Sequence, residues 1–171
     1  MAATKDFRTY AFDADRVSAS ANALGKGSYP KLYTIENLVR VLTHSVLITQ
    51  VGPDWWIKVV DSNIQANVAK FMSDYGKRPW HGTPGGHEIY YAYLSDLSKI
   101  ITLNSHLFIP IIPDIDQWIV RFELIRVPRN IVGHMNWLSV NDRKRIDITH
   151  DDLQKLIDKL TSAKSVTFVI P

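Results

Sequence analysis

The chain has 171 residues, 46% of them hydrophobic, with five tryptophans and no cysteine. That length and composition indicate one folded domain with a sizeable core and exclude disulfides, thiolate metal sites and a disordered chain. The net charge is +3, no apolar run approaches the ~18 residues of a membrane span, and Met1 to Tyr10 has no apolar leader core, so the expectation is a cytoplasmic protein.

In chain order, residues 1–29 read as a partly helical N-terminal segment. Asp13 to Leu24 places Val17, Ala21 and Leu24 on one helix face, and Gly25, Gly27 and Pro30 interrupt it. Residues 30–163 read as the main helical domain. Ile35, Leu38, Val39, Leu42, Val46 and Leu47 recur at helical spacing until Gly52-Pro53. His44, one turn after Arg40, reads as a surface or core-edge residue rather than as half of a second catalytic pair. Asp54 is placed to cap a turn carrying Trp55 and Trp56. Adjacent residues do not share a helix face, so one indole is expected in the core and the other against a loop or partner.

A helix through Ile64, Val68, Phe71, Met72 and Tyr75 stops at Gly76. Residues 76–87 form a Gly/Pro-rich loop. His81, His87 and Glu88 are three metal-ligand types, and Gly85-Gly86 is a phosphate-cradle composition. A fourth ligand and the Lys-Ser/Thr of a phosphate loop are both missing, so no metal or cofactor is expected. Glu88 to Leu103 reads as a helix with Ile89, Tyr93, Leu94, Leu97, Ile100 and Ile101 buried, and 104–113 as an apolar connector.

Asp114 is the expected N-cap of a helix burying Ile115, Trp118, Ile119, Phe122 and Ile125. Pro128 is expected to end or kink it, leaving Arg129 in the first turn of a new helix, where unpaired N–H groups favour an anion. Thr149 and Asp152 suggest the start of a last helix through Leu153, Leu156, Ile157 and Leu160. Residues 164–171 read as a tail, with Val166 to Ile170 a short strand. The fold class is all-α: a helical bundle with a short C-terminal strand.

Residues 129–134, Arg-Asn-Ile-Val-Gly-His, put a fork-shaped cation, an amide and an imidazole in a strongly apolar region. Between 121 and 145, Arg121, Arg126, Arg129, Arg143, Lys144 and Arg145 face only Glu123 and Asp142. Such a surface suits a phosphate-bearing partner or is simply a solvated face. The motif, with its flanking helices, Glu36 to Arg40 and Trp55-Trp56, resembles the HEPN superfamily over residues 30–145. The similarity is to the branch in messenger-RNA surveillance endonucleases and bacterial defence proteins. That signature is an arginine, four to six residues and a histidine, often with Asn after the arginine. Gly133 replaces the more usual alanine, and Pro128 is a further departure.

The resemblance implies a HEPN-like bundle and metal-independent RNA cleavage, with Arg129, Asn130 and His134 catalytic. It also implies a homodimer in which two motifs line one cleft. Arg126, Arg143, Lys144 and Arg145 are the candidate RNA contacts. The role implied is a toxin or defence effector, with an antitoxin or regulatory protein as a further partner. The alternatives are a non-catalytic RNA- or nucleotide-binding dimerisation module and a purely structural helical dimer. On an ideal helix Arg129 and His134 are about 140° and roughly 7.5 Å apart, so they share one site only through reach, a kink or a second copy.

Overall fold

The longest apolar helix of the chain is the one about which the others are arranged. The computed structural model describes residues 6–171; residues 1–5 of the N-terminal stretch read above as lacking a leader lie outside the described residues. Helix α2, Ser28–Val51, buries Ile35, Val39, Leu42, Val46 and Leu47. It packs against α1 (Ala14–Lys26), α3 (Trp55–Val59), α5 (Leu94–Leu103), α6 (Ser105–Phe108) and α8 (Val140–Ser162). Helix α4, Ser62–Gly76, lies against a 3-10 turn at Glu88–Tyr91, and α7, Ile115–Gly133, lies against α5, α6 and α8. No strand occurs among the described residues, so the class is all-α. No helix among them is long and apolar enough to cross a membrane.

Pro30 does not interrupt the chain. It sits in the first turn of α2, where an absent N–H removes no helical bond. Only Gly27 separates α1 from α2, so a division between residues 29 and 30 falls inside a helix. At the other end Gly52 has φ of 101°, a conformation that favours glycine, and its N–H closes α2 on the Ile48 carbonyl at 3.0 Å. Both indoles of the Trp pair are buried, at 0% and 6% exposure, contrary to the expected division between core and periphery. The segment 88–103 is not one helix: Ala92 and Tyr93 are extended, and Asp96 accepts the Tyr93 N–H at 2.9 Å to start α5. Tyr93 is therefore exposed rather than in the buried stripe. The apolar connector contains the single turn α6. Asp54 and Asp114 stand at their helix starts without a side-chain capping bond.

Two corrections fall in the C-terminal half. Helix α7 does not end at Pro128 but continues to Gly133. Ile125, Pro128 and Val132 are all buried at helical spacing, so the proline ring serves as a core side chain and packing overrides its low propensity. Arg129 is consequently near the end of α7, and the anion-favouring helix start expected there does not exist. Helix α8 begins ten residues before Thr149's successor, His150: Ser139 is the cap, its Oγ accepting the Asp142 N–H at 3.1 Å. Thr149 is a buried mid-helix residue. Residues 166–170 form no strand. Their backbone is held by Ser45, whose buried Oγ donates to the Val41 carbonyl at 2.7 Å and accepts the Val169 N–H at 2.9 Å.

Candidate functional site

Glu36 on α2 joins two arginines. Its Oε1 accepts from Arg40 Nη2 at 3.0 Å, and its Oε2 accepts from Arg129 Nε at 3.0 Å across 93 residues of sequence. The first pair is one turn apart on α2; the second ties α2 to α7. Burying charges is costly unless every one is paired and hydrogen-bonded, and the two arginines meet that condition differently.

Every nitrogen of Arg40 is engaged. Its Nε donates to the Ile89 carbonyl at 3.0 Å, Nη1 to Asn37 Oδ1 at 2.8 Å, and Nη2 also to the Ala92 carbonyl at 3.2 Å. These bonds hold the 3-10 turn and the break after it against α2. Arg129 is anchored only through Nε. Its Cζ lies 5.5 Å from the Tyr93 ring centroid, and its Nη1 and Nη2 make no hydrogen bond among the described residues. That free edge borders a cavity of about 850 Å³ between α1, α2 and the end of α7.

Helix α7 ends just beyond. His134 is its C-cap, with its N–H on the Asn130 carbonyl at 2.9 Å. The Met135 N–H bonds to Val132 at 2.8 Å and the Asn136 N–H to Ile131 at 2.9 Å. Those paired bonds, with Met135 at φ of 58°, make a left-handed helix termination in which a methionine occupies the position glycine usually takes. Asn130 and His134 are exposed. Gly133 and Met135 line the cavity on either side of His134, while the imidazole itself is outside the lining. One turn thus brings Arg129 and His134 to the same end of the bundle but to different faces of the helix. A Cβ at Gly133 would meet Arg129 Nη1 at 3.6 Å, an ordinary contact, so an alanine fits here.

The four other basic candidates are dispersed. Arg126 pairs with Glu123 at 3.1 Å and Arg145 with Asp142 at 3.0 Å, each within its own helix. Arg143 lies over the Trp137 ring at 5.2 Å, and Trp137 lines the cavity, so Arg143 is the one brought to the site. Lys144 is exposed and makes no ion pair among the described residues.

The remaining histidine readings divide. His44 is not at the surface: it is 4% exposed, and its Nδ1 accepts from Trp55 Nε1 at 3.3 Å. His87 stacks on Trp55 at 5.4 Å, meets His44 edge-on at 4.8 Å, and caps the 3-10 turn by accepting the Ile89 N–H at 3.1 Å. Burial lowers the pKa of both; His87 lowers that of His44 further, and Glu88 partly opposes the effect on His87. This pair is a neutral core device. His81 is exposed, and no group of three or more His, Asp or Glu side chains able to hold a metal gathers among the described residues. Gly85 is not a cradle: a Cβ there would lie 2.3 Å from the Tyr90 ring, so the glycine is needed for close packing.

Sequence reasoning noted Glu36 and Arg40 without giving them a role. Their signal was charge at an i, i+4 spacing within an apolar helix. No protein-family model, no curated protein and no solved structure matches this chain.

Proposed function

We propose that this chain is a metal-independent endoribonuclease acting at the end of α7. The observation that carries the reading is the half-engaged Arg129: Glu36 fixes its Nε, its outer edge is free at a cavity, and the same turn ends in the exposed His134. An arginine fork held on one side and open on the other is suited to phosphate oxygens. In the reaction the ribose 2′-oxygen loses its proton and bonds to the adjacent phosphorus. The P–O5′ bond breaks and O5′ takes a proton, giving a 2′,3′-cyclic phosphate and a 5′-hydroxyl. Arg129 offsets the charge growing on the phosphate. His134 moves one of the protons, the usual task of a histidine in general acid–base catalysis. Asn130 hydrogen-bonds the phosphate or steadies the histidine.

The assembly in this reading is a homodimer. Val120, Leu124 and Val127 are 59%, 53% and 53% exposed on one face of α7, and His134 lies two turns beyond Val127 on the same track. A two-fold pairing makes such a stripe self-complementary and carries both motifs onto one continuous surface. The setting is cytoplasmic, as a toxin or defence effector restrained by an antitoxin or other regulatory protein. Arg126, Arg143, Lys144 and Arg145 hold the RNA backbone. A second reading, RNA binding without turnover, is favoured by the ion pair that already occupies Arg129.

The test is cleavage of RNA by purified protein with chelator present. His134→Ala and Arg129→Ala should each lower the rate by roughly 10² to 10⁴, and Asn130→Ala by less. A 2′-deoxy nucleotide at the cut should abolish it, because the internal nucleophile is gone. Equal cleavage of the deoxy substrate overturns the mechanism. RNA binding with no cleavage by the wild type selects the second reading.

A further inference from the structure

The cavity beside Arg129 is larger than a phosphate needs, and its walls are unlike the rest of the chain. Five of its nineteen lining residues are aromatic, Phe7, Tyr29, Tyr33, Tyr90 and Trp137, in a protein that is 11% aromatic overall. The volume of about 850 Å³ is in the range of small-ligand sites. We propose that this cavity is a pocket for a single nucleotide of the RNA strand, the base among the aromatic side chains and its phosphodiester on the free edge of Arg129.

Charge favours that occupant. Arg40 and Arg129 against Glu36 leave one net positive charge at the cavity wall, and a phosphodiester carries one negative charge. Every nitrogen of Arg40 is already bonded, so of the two guanidinium groups Arg129 is the one that offers whole nitrogens to a ligand. Asn37 is partly engaged, its Oδ1 accepting from Arg40 and one Nδ2 proton donated to the Tyr33 carbonyl at 2.8 Å. Glu36 accepts two bonds and a carboxylate has about four acceptor positions, so it can take a further donor from a base or ribose. Exposed tyrosines suit stacking, which every base can satisfy and which single-stranded RNA leaves accessible. One wall is α1, whose one buried residue is Ser20, so changes on that wall perturb the fold little.

The pocket rests on the RNA-cleavage reading for its natural ligand, but its test does not require turnover. Calorimetric titration of full-length His134→Ala, which alters no lining residue, is carried out with adenosine 2′,3′-cyclic monophosphate. Parallel titrations use inorganic phosphate, adenosine and decanoate. The cyclic nucleotide should bind at least about tenfold more tightly than phosphate or adenosine alone, since stacking and the arginine act together. Ala21→Trp, which fills the cavity from α1, and Tyr33→Ala, which removes a stacking wall, should each weaken it by about tenfold or more, with unchanged circular dichroism. Phosphate binding as tightly as the nucleotide overturns the pocket, and so does decanoate binding where the nucleotide does not. RNA cleavage by the wild type with no nucleotide binding and no effect of either variant overturns the pocket and leaves the ribonuclease reading standing. Nucleotide binding with no cleavage does the reverse.

Discussion

The polar groups around Arg40 and those at the end of α7 share Glu36, yet they are built to different ends. Around Arg40, His44 and His87 every buried side-chain donor and acceptor among the described residues has a partner. At the end of α7, Arg129 keeps two nitrogens free, and Asn130 and His134 stand in solvent. An arginine bonded at every nitrogen holds structure together; one held by a carboxylate at a single nitrogen is poised to receive something. The type of residue does not decide its role. The number of its bonds already made inside the protein does.

The largest effect expected from this contrast is on stability. Arg40→Ala leaves Glu36 half-paired, takes the side-chain donor from the Ile89 carbonyl and leaves the Ala92 carbonyl without one, and should cost about 3–5 kcal/mol, the range for breaking a buried pair. Arg129→Ala removes one partly exposed pair and should cost about 1 kcal/mol or less. Urea denaturation of the two variants measures both. If Arg129→Ala is the more destabilising, the contrast fails.

An intermediate effect is acid sensitivity confined to the Arg40 side. Burial holds His44 and His87 neutral, with folded pKa values below the ordinary value of about 6.5. The unfolded chain therefore takes up protons first as pH falls. Stability is flat above about pH 6.5, declines below it towards the lowered folded values, and then levels off. Asp6, Asp61, Asp74 and Asp151 have lowered pKa values through their hydrogen-bonded partners, so their contribution is lost only at lower pH, below about 4. The urea midpoint should fall between pH of about 7.5 and about 5.5, and His44→Gln should flatten that fall. A slope unchanged in His44→Gln would assign it to other groups.

The smallest effect belongs to the α7 end. Gly133→Ala should stabilise α7 by up to about 1 kcal/mol and change RNA cleavage by no more than a few-fold, because the new methyl only touches Arg129 Nη1. A large loss of activity would mean that this nitrogen needs open space on that side.

What the sequence disclosed follows from which interactions are local. The apolar spacing of α2 and the Gly76 stop of α4 were legible because each depends on neighbours within a turn or two. Ser139-x-x-Asp142 and Thr149-x-x-Asp152 are the same capping pattern ten residues apart, and only tertiary packing chooses between them. Ile146, three residues before the buried Thr149 and seven before the buried Leu153, was the sign that the helix was already under way. Pro128 misled because its ring is paid for by burial beside Ile125 and Val132, which propensity does not contain. Arg129 and His134 were found by spacing, whereas Glu36, the group that orients Arg129, lies 93 residues away, and its local spacing points to Arg40 and not to Arg129.

The bond between Val169 and Ser45 spans 124 residues of sequence. Closing a free loop of that length costs about 4 kcal/mol of chain entropy on top of a constant term. The folded chain does not meet that cost at this bond, because α8 already lies along α2 and leaves only the few residues after Ser162 to be closed. Docking of the tail is thus a late, inexpensive event, and its undocking needs no global unfolding. The Val169 amide should exchange with solvent far sooner than those of Val46 or Leu47, although all three amides belong to residues packed around the same stretch of α2.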